Sequence, residues 1–252
     1  TSVSDILNRR NVIEIRKKSL LKRSARVLRK GWVQVAIILI PIIITGFYLF
    51  REMDDNPVRL ELSGNNIRIL NNTGRELWVF PLTDRIEPHQ MNLYVNLVDI
   101  EGDGINEMLF TRDMYDWSKF PNNHGRVVCL NKDSVQVWSY KFTDTVSSER
   151  EFLEGSYSIT YHGTVEFQNK QTLLFSGHNL PSYSSVLFML DPKNGKQVGG
   201  TYWQSGFIQD AILFDYNMDG VSDVFVAGVD NGFEEATLTG ISIDKLNGVR
   251  PS

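Results

Sequence analysis

The chain holds a single cysteine among 252 residues, which excludes an internal disulfide framework and leaves stability to core packing and bound ions. Cys129 stands in the apolar run Val127-Val-Cys-Leu130 and is expected to be a buried strand residue. Histidine is also scarce. His89, His124, His162 and His178 are scattered, none stands at metal-ligand spacing from another, and all are expected at turns or on the surface. Ser176-Gly-His178 and Ser205-Gly206 lack the flanking context of a nucleophile elbow. No constellation for catalysis is visible, and the chain is not expected to be an enzyme.

Charge is missing altogether between Trp32 and Phe50, a run of nineteen residues. At 1.5 Å per residue that run covers roughly 28 Å, close to the ~30 Å of a bilayer's hydrocarbon core. Trp32 at one end and Phe47, Tyr48 and Phe50 at the other stand where an aromatic belt would place them, and Pro41 is expected to kink the helix. The run is too long for a cleaved signal peptide, its leading region is too long as well, and no small-residue cleavage site follows.

The flanks set the orientation. The first 31 residues carry ten Lys or Arg against Asp5 and Glu14, whereas residues 51 to 252 carry sixteen against twenty-eight Asp and Glu. The N-terminal side is therefore expected in the cytoplasm and the acidic remainder in the periplasm or outside the cell. Three segments follow: a basic juxtamembrane segment over 1–31, a transmembrane helix over 32–50 and an extracytoplasmic region over 51–252. An outer region without disulfides suits a bacterial surface or periplasm. The stretch Arg9 to Lys30 places Ile13, Ile15, Leu20, Leu21, Val27 and Leu28 among its charges and reads as an amphipathic helix on anionic lipid. It lacks the aromatic interleaving of a nucleic-acid surface. The chain opens on Thr1 rather than Met, which leaves room for a cytoplasmic domain ahead of it.

A nine-residue acidic pattern is present twice, as Asp99-Ile-Glu-Gly-Asp-Gly-Ile-Asn-Glu107 and as Asp215-Tyr-Asn-Met-Asp-Gly-Val-Ser-Asp223. Oxygen side chains fall at positions 1, 3, 5 and 9: Asp99, Glu101, Asp103 and Glu107 in one copy, Asp215, Asn217, Asp219 and Asp223 in the other. Glycine at position 6 lets the backbone bend so that several ligands converge on one cation. Carboxylates crowded this closely repel one another unless a metal lies between them. An EF-hand would add a bidentate Glu at position 12 between two helices, but Phe110 and Val226 stand there and the flanks are β-branched and aromatic. Each loop is expected to join two strands and to bind calcium. The plainer alternative is a turn rich in Asp, Asn and Gly that holds no ion.

A strand-turn-strand unit recurs as well. Ile67 to Phe80, Val127 to Tyr140, Leu187 to Gly195 and Ile241 to Gly248 share it, and aligning Asn71, Asn131, Asp191 and Asp244 gives intervals of 60, 60 and 53 residues. The acidic loops follow this unit, and a degenerate copy without ligands lies at Val165 to Phe175. Four strands per unit of this length describe a β-propeller blade, whose apolar faces are buried by its neighbours. Trp78, Trp138 and Trp203 are then expected to pack between blades.

Together the acidic loops and the roughly 60-residue β-repeat resemble the FG-GAP or VCBS repeats of integrin α-subunit propellers and their bacterial relatives, over roughly residues 60 to 252. The resemblance implies an all-β propeller whose calcium loops brace the blades at one face while longer loops on another face contact a protein or glycan ligand. It implies calcium ligands at Asp99, Asp103 and Glu107 and at Asp215, Asn217, Asp219 and Asp223, with the carbonyls of Ile105 and Val221 at position 7. Glu101 departs from the Asp or Asn usual at position 3 and is expected to bind less tightly or through water. Three units and the start of a fourth fall short of a closed ring, so the repeat array is expected to continue. The expected role is that of an adhesin or the sensing part of a receptor. Two alternatives stand beside it: a structural scaffold, and an enzyme, since Leu70-Asn-Asn-Thr-Gly-Arg-Glu-Leu-Trp78 also resembles the tryptophan-docking segment of quinoprotein propellers.

Overall fold

The computed structural model describes residues 31–52, 54–82, 88, 91, 95–111, 125–147, 152–153, 156–180 and 184–249, and the chain divides into two units, Thr1–Asp54 and Asp55–Ser252. In the first unit the uncharged run forms helix α1, Gly31–Glu52, with Pro41 inside it. Its span Gly31–Phe50 has a mean hydropathy of 2.4 and none of its apolar window is buried, so by length and composition it is able to cross a membrane. The expected amphipathic helix over Arg9–Lys30 lies outside the described residues.

The second unit is built from four antiparallel sheets that follow one another along the chain. The first contains β1 (Arg59–Ser63), β2 (Asn66–Leu70) and β3 (Glu76–Pro81). The second contains β4 (Val95–Val98), β5 (Glu107–Phe110), β6 (Arg126–Leu130) and β7 (Gln136–Lys141). A two-stranded ribbon, β8 (Val146–Ser147) with β9 (Phe152–Leu153), precedes the third sheet. That sheet contains β10 (Ser156–Phe167), β11 (Lys170–Leu180), β12 (Ser185–Leu190) and β13 (Gln197–Gln204). The fourth contains β14 (Ile208–Phe214), β15 (Asp223–Asp230) and β16 (Glu235–Ser242). β17 (Gly248–Val249) leaves the fourth sheet and pairs in parallel with β13 of the third.

Face-to-face packing of consecutive sheets explains why some strands read as unbroken apolar runs. Ser185–Leu190 of β12 is buried at every position, as expected of a strand covered on both faces. Ile67, Ile69 and Phe80 of the first sheet meet Val95, Met108 and Phe110 of the second. Leu109, Cys129 and Trp138 of the second meet Phe175, Phe188 and Trp203 of the third, and Leu174, Leu187 and Met189 of the third meet Val224 and Val226 of the fourth. Phe188 sits in the middle of this stack, with its ring centroid 4.8 Å from Phe142 and 5.6 Å from Phe175. Truncating such a buried ring costs about 3–5 kcal/mol.

The repeat seen in the sequence has a structural anchor. Asn71 accepts the amides of Thr73 and Arg75, Asn131 those of Asp133 and Val135, and Asp191 that of Lys193, so each side chain holds the turn between a sheet's last two strands. From these turns two indoles reach forward. Trp78 Nε1 donates to the Lys132 carbonyl of the second sheet at 3.1 Å, and Trp138 Nε1 donates to the Pro192 carbonyl of the third at 2.7 Å. Trp138 also lies against Gly195, where a Cβ would come within 2.4 Å of the ring and where φ is +66°. Trp203 packs between the second and third sheets beside Phe142 and Tyr157. All three tryptophans therefore join sheets, as their positions in the repeat imply.

In the structure the frame of the repeat is shifted. A sheet begins with its acidic hairpin and ends with the strand-turn-strand unit, so Asp99 to Glu107 belongs with the turn at Asn131 rather than with the one at Asn71. Ile241 to Gly248 starts no new sheet either. Ile241 and Ser242 end β16, Ile243–Lys245 form a 3-10 turn, Leu246 is buried against the third and fourth sheets, and the chain then joins β13.

Candidate metal centre

The two acidic segments occupy equivalent places, each joining the first two strands of its sheet: β4 to β5 in the second, β14 to β15 in the fourth. The hairpin at that place in the third sheet is the degenerate copy, where β10 and β11 are joined by Gln168 and Asn169, both at positive φ. Two residues in that conformation make a tight turn matched to the strand twist, with no room for a ligand loop.

Both acidic loops are wired in the same way. The carboxylate at position 1 accepts the amides of positions 5 and 6: Asp99 from Asp103 at 3.2 Å and Gly104 at 2.9 Å, Asp215 from Asp219 at 3.1 Å and Gly220 at 2.9 Å. At position 5 the carboxylate accepts the amide of position 7, Ile105 to Asp103 and Val221 to Asp219, each at 2.8 Å. The last carboxylate accepts the amide of position 2, Ile100 to Glu107 at 2.9 Å and Tyr216 to Asp223 at 3.4 Å. Positive φ falls at positions 4 and 6 in both, at Gly102 and Gly104 and at Met218 and Gly220. Position 6 is where glycine relieves the strain, with φ near +85° in each loop. Phe110 and Val226, at position 12, are buried in the core, far in character from metal ligands.

Surroundings distinguish the loops. Glu107 is 6% exposed, and burial raises its carboxyl pKa above the usual range, with the charges of Glu101, Asp103 and Asp99 adding to the rise. Asn56, just ahead of β1, straps this loop: its amide donates to the Gly104 carbonyl at 2.7 Å and its oxygen accepts Asn106 N at 2.8 Å. Asn106 in turn donates to the Pro57 carbonyl at 2.8 Å. In the second loop Asn217 instead donates to Asp219 at 2.8 Å, position 8 is Ser222, and Tyr216 and Met218 project into solvent.

The donor set fits a hard divalent cation such as calcium, being oxygen throughout. Asp99, Glu101, Asp103 and Glu107 lie on one turn with the Ile105 backbone between them, and Asp215, Asn217, Asp219 and Asp223 do so with Val221. The charges that act on Glu107 are three carboxylates, an arrangement that a bound cation would relieve. The oxygens of Asp99 and Asp103 are turned onto the loop's own amides, and among the described residues no group of three or more His, Cys, Asp or Glu is gathered to hold a metal. Binding would therefore require Asn217 to release Asp219 and the side chains to swing toward one point.

Two histidines lie elsewhere than the sequence suggested. His162 and His178 are buried in β10 and β11 rather than placed at turns or on the surface, while His89 and His124 fall outside the described residues. His162 Nε2 is 2.8 Å from Ser176 Oγ and its Nδ1 is 3.8 Å from Asp210, and His178 Nδ1 is 2.7 Å from Ser185 Oγ with its ring stacked on Phe207. Burial holds both imidazole pKa values down at about 4, opposed at His162 by Asp210 and reinforced at His178 by His162. Ser176 is completely buried, so this Ser-His-Asp chain joins the third and fourth sheets and offers no nucleophile to a substrate. The alternation of β10 and β11 carried a signal for this, since His162 and His178 each fall within strands of apolar and small residues. Cys129 is buried as expected and its thiol pKa is pushed up to about 12, chiefly by desolvation.

The chain matches no protein-family model and no curated protein.

Proposed function

We propose that this chain is a single-pass membrane protein whose N-terminal side is cytoplasmic and whose β-rich unit is a calcium-braced, propeller-type binding module of the FG-GAP or VCBS kind outside the cytoplasm. The observation that carries this reading is the recurrence of four hydrogen bonds, in register, in two acidic loops at the same hairpin of two different sheets. Turns of no special purpose would have little reason to repeat four contacts in register across more than a hundred residues. Calcium here is structural, offsetting the repulsion among the loop carboxylates and fixing one end of each sheet. The partner that the resemblance implies is a protein or glycan outside the cytoplasm.

The apolar helix supports the anchor, and the basic flank ahead of it supports the orientation. The deciding experiment is the thermal unfolding of the full chain in detergent micelles with millimolar calcium and with chelator. A higher midpoint in calcium, reduced by Asp219→Ala, is expected. No response to calcium in the parent chain would overturn the braced module. A quinoprotein-like enzyme remains the second reading, drawn from the docking of Trp78 and Trp138 onto the following turns. Dye reduction by the full chain with an added quinone cofactor would put that reading first.

A further inference from the structure

The stretch that joins the apolar helix to the β-rich unit is stitched to the first acidic loop. α1 ends at Glu52 and β1, in the first sheet, begins at Arg59, yet the residues just ahead of β1 hold on to the second sheet. Asp55 pairs with Lys132 in the turn between β6 and β7. Asn56 Nδ2 donates to the Gly104 carbonyl at 2.7 Å, its Oδ1 accepts Asn106 N at 2.8 Å, and Asn106 Nδ2 donates to the Pro57 carbonyl at 2.8 Å. At Val58, whose amide donates to the Leu70 carbonyl at 2.9 Å, the chain joins its own sheet.

Both ends of the Asn56 amide thus close on one piece of backbone, the residues on either side of Ile105. The N–H that Asn56 accepts belongs to the peptide between Ile105 and Asn106, and in a planar trans peptide the carbonyl points the opposite way. The Ile105 carbonyl is therefore turned away from the strap. It is the backbone oxygen at position 7, between Asp103 and Glu107 in the ligand series. The Asp55–Lys132 pair adds little to this hold, since both side chains are partly in water, and the amide contacts carry it. The second loop has Ser222 at position 8 where the first has Asn106.

We propose that loop 99–107 controls the tether between the apolar helix and the β-rich unit, with Asn56 as the positioning residue: the calcium-bound loop locks residues 55–57 onto the second sheet, and loss of the ion loosens them. The proposal rests on the calcium reading given above. Docking of Asn56 and filling of the loop call for one orientation of the same Ile105–Asn106 peptide, so each favours the other. By linkage, the factor by which docking tightens calcium equals the factor by which calcium tightens docking. Polarisation works in the same direction, because a peptide whose carbonyl faces a cation is a better N–H donor. Undocked, residues 54–58 span at most roughly 17 Å, a slack tether in place of a fixed one.

The test is hydrogen exchange, read by mass spectrometry on the full chain in detergent micelles with millimolar calcium and with chelator, alongside calorimetry of calcium binding in the same preparation. In the parent, calcium is expected to slow exchange over 54–58 and 105–107 about tenfold. Asp103→Ala should abolish that response, whereas Asp219→Ala should leave it in place. A general stabilisation of the unit would instead follow either loop. Asn56→Ala should remove the response at 54–58 and weaken calcium at the first loop by the same factor, about tenfold, with the second loop unchanged. Calcium bound at the first loop without any change at 54–58, or a change that follows Asp219 rather than Asp103, would overturn the coupling and leave the calcium reading standing. No calcium binding by the parent would overturn both.

Discussion

The two acidic loops share positive φ at the same two positions and four hydrogen bonds in register, yet the molecule treats them differently. Loop 99–107 is seated: Glu107 is buried beneath it and Asn56 ties it to the segment ahead of the first sheet. Loop 215–223 stands clear, with Tyr216 and Met218 in water. The same nine positions thus yield a seated loop and a free-standing one. Seating has a cost, since burial and the charge of three neighbouring carboxylates both disfavour an ionised Glu107. The exposed loop avoids that cost.

Acidification should separate the loops most. His162 and His178 border the fourth sheet, which carries the second loop, and both are held at about 4 against an ordinary value of 6.5. An imidazole whose folded pKa is depressed favours the folded state above its unfolded pKa and withdraws that support as pH falls. Between pH 6.5 and 4 each should therefore cost up to ~3 kcal/mol. Hydrogen exchange across this window should show the fourth sheet opening before the second, and His162→Gln should flatten the dependence.

Calcium withdrawal comes next in size. A site filled at a hundred times its dissociation constant contributes about 2.7 kcal/mol, so titration calorimetry of the full chain should resolve two classes of site, the first loop binding with less ordering entropy. Asp103→Ala should remove one class and Asp219→Ala the other. Loss of both by either substitution would mean that the loops are not independent.

Asn56→Ala should release the strap from the first loop, lowering the stability of the calcium-free protein by about 1–2 kcal/mol and weakening only that loop's affinity. Glu107→Gln should act with opposite signs in the two states. Replacing a buried charge by a neutral acceptor should raise the unfolding free energy in chelator, by about 1 kcal/mol or less, and abolish most of the calcium response of the first loop. The Glu107 pKa is raised in the fold, so in chelator its ionisation penalty should fade as pH drops through its folded value, while competition from protons weakens calcium. Smallest of all, Cys129→Ser should leave calcium affinity nearly unchanged.

Much of this was legible in the residues. The acidic loops announced themselves because ligand spacing and a glycine at one position form a local code, and Asn71, Asn131 and Asp191 marked the turns for the same local reason. The degenerate copy at Val165 to Phe175 is a tight hairpin turned by Gln168 and Asn169. What escaped was long-range. Asn56 meets Gly104 across 48 residues, and nothing in either neighbourhood spells out that pairing. The frame of the sheets escaped too, because a repeat can be cut at any phase and only hydrogen bonding decides which strands belong together. His162 and His178 were misplaced because a polar residue in a strand looks exposed until a serine appears opposite it.

Two contacts also bear on how the chain acquires its structure during synthesis. Trp78 finds its acceptor at Lys132, and Trp138 finds its acceptor at Pro192, each 54 residues later. At about 5–20 residues per second, an indole waits roughly 3–11 s for the turn it will rest on. The first two sheets are thus each finished one sheet late, and while they emerge the growing polypeptide carries one incompletely braced sheet.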